Sequence, residues 1–175
     1  MALIRLNNQS ITNITALPSG VGGKILQVVS TEKTDQFTTT STSFVDVTGM
    51  SATITPSATS SKILAFFTVG LVGNSTNGQF CYVKLVRGST DISVGDAASN
   101  RTPLGSGTGG DQAYENGPLT IHVLDSPSTT SATTYKIQFR TQASGTAKFN
   151  SRGDDADNAN YGRTSASLTL MEIAG

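Results

Sequence analysis

The densest group of chemistry-bearing side chains is the run Asp154-Asp155-Ala156-Asp157-Asn158-Ala159-Asn160. Calcium takes six to eight oxygens from carboxylates, amides and carbonyls, and this run could offer about four or five of them. The spacing is not that of an EF-hand loop. An alternation begun at Asp155 and Asp157 reaches Ala159 at its third ligand, and the twelfth place, where a bidentate Glu belongs, is Ala166. Asp154, Asp155 and Asp157 are therefore candidate cation ligands set against a simpler reading as a solvated, Asx-rich turn, which the spacing favours.

Other candidates fare worse. Gly20-Val-Gly-Gly-Lys24 has Pro18 where a phosphate loop needs Gly and Ile25 where it needs Ser or Thr, so it reads as a flexible joint. His122 is the single histidine and lies mid-strand between Ile121 and Val123, with no local nucleophile beside it. One histidine and one cysteine do not make a transition-metal site. Cys81 sits in an apolar run, and with no second cysteine it reads as a buried thiol. Arg152-Gly-Asp154 spells an integrin-type tripeptide, a match short enough to arise by chance in such a loop. No paired carboxylates occupy a context that raises one pKa, so glycosidase chemistry has no foothold. Tyr114 and Tyr161 are aromatics set in polar loops, and they are the expected loop contacts for any ligand. The expectation is a chain that is not an enzyme and uses no cofactor.

The elements that must position these groups are strands. Only 14% of the residues are charged and the net charge is zero, while Ser and Thr supply roughly a quarter of the chain, far above the usual mix. Thr, Val, Ile, Phe and Tyr favour pleated strands; Gly, Asn, Asp and Ser favour turns. Nothing keeps a 3.6-residue period. Zero net charge and scattered Lys and Arg give no field for nucleic acid. No apolar stretch approaches the ~20 residues of a membrane span, and the uninterrupted apolar region of a signal peptide is missing near the N-terminus. The chain is thus expected to be made and folded without secretion, and without membrane or nucleic-acid partners.

Two parts are expected: an attachment arm and hinge over residues 1–24, and a head over residues 25–175. Leu3, Ile4, Leu6, Ile11, Ile14 and Leu17 are too thinly spaced to build a core and must bury themselves on the head or on a partner. Pro18 to Gly23 forms the joint. In the head, Lys62–Gly73 reads as a central strand buried on both faces, and Asn74–Gly78 as the turn of a hairpin joining it to Gln79–Arg87. In that second run Phe80, Tyr82, Lys84 and Val86 share one face while Cys81, Val83 and Leu85 share the other. Tyr135, Ile137 and Phe139 are expected inward. Residues 97–117, rich in glycine, form a long insertion that is either functional or loosely ordered. About eight strands punctuated by turns make the expected fold class all-β, a β-sandwich of jelly-roll type.

The opening Met1-Ala-Leu-Ile-Arg-Leu-Asn-Asn-Gln-Ser-Ile-Thr-Asn-Ile-Thr15 resembles the start of small virion proteins of marine and freshwater tailed phages. So do Ile25-Leu-Gln-Val-Val-Ser-Thr31, Thr42-Ser-Phe-Val-Asp-Val-Thr-Gly49, Leu85-Val-Arg-Gly-Ser-Thr-Asp-Ile92 and Leu168-Thr-Leu-Met-Glu-Ile-Ala174. The resemblance covers most of the chain except its two polar insertions. It implies a β-sandwich head, a homotrimer, carried on an N-terminal arm at the virion surface. The major capsid protein or another virion protein is then the expected partner. A fibre that reaches a receptor needs a shaft, and no repetitive or coiled-coil stretch is present. Capsid decoration is accordingly expected first, and a tail-fibre or receptor-binding head second. A carbohydrate-binding module comes third, for want of a clear aromatic platform.

Overall fold

The computed structural model describes residues 24–109 and 116–175. Within them the chain forms β1 (Ile25–Lys33), β2 (Phe37–Thr39), β3 (Val45–Ile54), β4 (Lys62–Asn74), β5 (Cys81–Arg87) and β6 (Thr90–Ile92). β7 (Ser106–Thr108), β8 (Asn116–Asp125), β9 (Thr133–Thr141), β10 (Ala147–Phe149) and β11 (Ala166–Ile173) follow. All pairings are antiparallel.

In the first sheet β11 lies between β1 and β4, and β8 takes the other edge of β4. The short β10 continues the line of β11 against Val72–Asn74 of β4, and β2 continues the line of β1 against β10. The second sheet runs β3-β9-β5, with β6 and β7 sharing the far edge of β5. Three strands are therefore split into collinear halves: β1 with β2, β6 with β7, and β10 with β11. Counting each pair as one lane leaves eight lanes, and in chain order the sheets read 1-8-3-6 and 2-7-4-5. This is the double Greek key of the jelly roll. The expected fold class holds, and it rests on strand order.

Alternation decides what meets in the middle. Cys81, Val83 and Leu85 of β5 and Tyr135, Ile137 and Phe139 of β9 are buried, as the sequence pattern predicts. They face Ile63, Ala65, Phe67 and Val69 of β4 and Leu168 and Leu170 of β11 across the sandwich. Phe149 of β10 joins the sheets, edge-on to Phe139 at 5.5 Å between ring centroids and stacked on Phe67 at 6.2 Å. Each such fully buried side chain contributes about 1.5–3 kcal/mol through removal of apolar surface from water.

Three local expectations are corrected. β4 is central but not buried on both faces, because its outward Leu64 and Phe66 are only half covered. Residues 74–78 do not close a hairpin: β4 and β5 lie in different sheets, so the turn carries the chain across the sandwich. The glycine-rich stretch after residue 97 is not wholly loose, since its glycines let β7 lie flat against larger side chains. A Cβ on Gly105 would stand 2.5 Å from Ile121 Cδ1, and one on Gly107 2.7 Å from Tyr82 Cδ1.

Candidate functional site

The excursion from β10 to β11 leaves and returns at one place. Asn150 adopts a left-handed conformation (φ 66°), and its amide donates to the carbonyls of Lys33 at 2.8 Å and Asp35 at 3.0 Å. Ser151 then bridges Arg163. Asp155 receives both Nε and Nη2 of Arg163, at 3.0 and 2.8 Å, and also the Gln36 amide at 2.9 Å. The Arg152 guanidinium lies 4.1 Å from the centre of the Tyr161 ring, and its Nε donates to Asp154 at 3.0 Å. Burial alone would raise the Asp154 pKa; the bond and charge of Arg152 outweigh it and hold the carboxyl below its ordinary value.

The structure therefore spends Asp154 and Asp155 on arginines. Asp157 is exposed, and no group of three or more metal-ligating side chains forms among the described residues. Arg152, Asp155, Asp157, Asn158, Tyr161 and Arg163 line a polar cleft of about 330 Å³. Tyr161 is thus a wall of that cleft and a lid on an arginine. Gln36 and Arg163, which complete the arrangement, carried no signal in the sequence. Gln36 lies 119 positions away from Asp155.

A second cleft, of about 550 Å³, opens on the outer face of the second sheet between Tyr82, Asn100, Arg101, Thr102, Arg140 and Gln142. Arg140 organises it. Its guanidinium carbon lies 4.8 Å from the Tyr82 ring centre and 5.4 Å from that of Phe44, and Nη1 donates to the Thr42 carbonyl at 2.7 Å. Lys84 stands 4.7 Å over Phe44 and pairs with Asp91, while Lys136 pairs with Asp46. Lys84 and Lys136 are thus matched within the head, while Arg140 is held by rings and a carbonyl.

The outer face of the first sheet differs. Val28, Met171, Leu64 and Leu124 are directly opposed in register across β1, β11, β4 and β8, and form one outward apolar row. The next row is Ser30, Thr169, Phe66 and His122, with the Phe66 and His122 rings 5.0 Å apart. His122 is thus an exposed strand residue leaning on a phenyl ring. Among the described residues the exposed large hydrophobics are Ile25, Leu26, Val28 and Leu124, half-exposed at 49–55%. All four belong to the corner where the chain enters β1 and where β4 and β11 meet near their ends.

Beneath that corner lies a buried carboxylate. Glu172 accepts the Ser57 backbone N–H and hydroxyl, each at 2.6 Å, and the Gln27 amide at 2.6 Å. Desolvation alone would raise its pKa; these donors prevail and hold it at about 2. Cys81 is buried, its thiol facing the Gly73 carbonyl at 3.3 Å, and burial pushes its pKa up to about 12, so it is no nucleophile. Leu3, Ile4, Leu6, Ile11, Ile14, Leu17 and Tyr114 lie outside the described residues.

No protein family matches the chain, and no curated protein does. Solved structures do. A chain of an infectious bursal disease virus particle of T13 type aligns with 99% of this chain at 14% identity and a TM-score of 0.44. The Gx strain of the same virus aligns over 85% at 15% identity and 0.41, and its VP2 subviral particle over 85% at 14% and 0.39. The aligned region spans 40%, 37% and 38% of those chains.

Proposed function

We propose that this chain is a non-enzymatic structural protein of a virus particle, a decoration or cement protein that binds the capsid surface as a trimer. The observation that carries this reading is the strand order. The eight-lane jelly roll is an architecture of viral capsid domains, shared with lectins and cupins. The phage-like strings at the start, middle and end of the sequence favour the virion among those uses. In this reading the apolar residues from Leu3 to Leu17 engage the major capsid protein or another virion protein. The head adds buried area and strand pairing around a pressurised shell.

Counting copies per particle tests the proposal. A decoration protein occurs in hundreds of copies, and adding it to DNA-filled heads raises their resistance to heat. A few copies per particle, with infection blocked by free protein, would instead mark a receptor-binding head. Deleting residues 1–17 should leave a folded head that no longer joins the particle, and retained incorporation overturns the role of the arm.

A further inference from the structure

We infer that the apolar corner of the first sheet is the docking site of the chain's own N-terminal segment, residues 3–17, folded back over the head that carries it. A water-facing row of Val28, Met171, Leu64 and Leu124, extended by Ile25 and Leu26, is the kind of contiguous apolar patch that marks a covered surface. The occupant is set by connectivity. Lys24, whose carbonyl accepts the Ala174 N–H, delivers the preceding chain to this corner. That chain carries Ile11, Ile14 and Leu17 and a single charged side chain, Arg5. The joint at 18–24 reaches up to about 23–25 Å when extended. Four strands at their usual spacing are only about 14 Å across, so the segment can span the whole row.

The face also suits such an occupant chemically. The row itself holds no ionisable group; the row on one side offers Ser30, Thr169 and His122 as polar partners, and the row on the other, Ile25, Ile173 and Lys62, places one exposed ammonium at its margin. An apolar strand or turn laid along the row covers no charge, since the Lys62 head can stay in water. The device keeps an adhesive segment off other molecules until a partner offers it more apolar area. It does not depend on what that partner is.

Limited trypsin cleavage at Arg5 of the full chain, followed by mass spectrometry, tests the inference. Val28→Asp and Leu124→Asp change side chains that are half-exposed, so the head should keep its melting temperature. Cleavage should nevertheless accelerate about tenfold or more, as the undocked form becomes populated. Ile14→Asp should do the same from the other side of the contact. Wild-type cleavage as fast as in these variants overturns the docking. Variants that lower the oligomeric mass without changing cleavage would make the face a contact between copies, which also overturns it. A nitroxide on Ile14→Cys should broaden the Met171 methyl resonance of the same molecule. In co-refolded mixtures where label and isotope sit on different chains, that resonance should stay sharp. Broadening only in the mixture would replace this inference with exchange between copies.

Discussion

Tyr135 of β9 donates its phenolic proton to Asp125 of β8 at 2.6 Å, so one hydrogen bond crosses from sheet to sheet at the edge of the core. Arg87, at the end of β5, meets the same carboxylate oxygen at 2.6 Å. Burial, then the Asp125 bond and charge, push the phenol above its ordinary pKa of 10.0. The folded state thus retains this proton where the unfolded chain loses it. The contribution to stability is complete below pH 10 and falls as the pH climbs beyond it. Tyr135→Phe should lose about 1–2 kcal/mol at neutral pH in denaturant titrations and show a flatter alkaline limb. An unchanged alkaline limb would show that another group governs it.

Glu172 gives the opposite dependence. Its folded pKa of about 2 lies below the ordinary 4.5, so its contribution is present above about pH 4.5 and is lost as the pH falls toward 2. Glu172→Gln should cost about 1–3 kcal/mol at pH 7, because Ser57 and Gln27 lose a charged acceptor, and should blunt acid unfolding. Melting curves from pH 7 to pH 2 measure both effects.

Phe139 and Phe66 separate inside from outside. Phe139→Ala opens a cavity in the middle of the sandwich and should cost about 3–5 kcal/mol. Phe66→Ala removes a half-covered ring that leans on His122, and about 1 kcal/mol is expected. Equal losses in chemical denaturation would mean that Phe66 is as covered in solution as Phe139.

Asp155→Asn removes the charge and one of the two acceptor oxygens that the Arg163 fork engages. A loss of about 1–2 kcal/mol is expected, with no rescue by added calcium. A melting temperature that rises with calcium in the wild type and not in the variant would restore the cation site suggested by the sequence.

Much of the sandwich was legible because strands with one wet face write their orientation at period two. β5 and β9 did so, and their inward residues are those that alternation selects. β4 misled for a physical reason: Leu64 and Phe66 are apolar yet outward, and sequence does not distinguish an apolar residue in a core from one on an adhesive face. The turn at 74–78 misled because the residues that reverse a hairpin also carry a chain between sheets. β2, β7 and β10 have three residues each, too few for any period. In the loop, the aspartates were visible as a cluster. Gln36, 119 positions from Asp155, was not, since long-range pairing leaves no mark on local sequence; Arg152 and Arg163 stand two and eight residues from their aspartates, where nothing in the local pattern says which pairs form.

The Asp155–Arg163 ion pair and the Ser151–Arg163 bridge close a neck where the β10–β11 excursion leaves the head. Everything past that neck, residues 156–162, hangs outside the lattice of strand pairing. Insertions, deletions or foreign peptides placed there should leave the register of β10 and β11 untouched. A peptide inserted at this tip is thereby displayed on a scaffold whose strand pairing it does not touch.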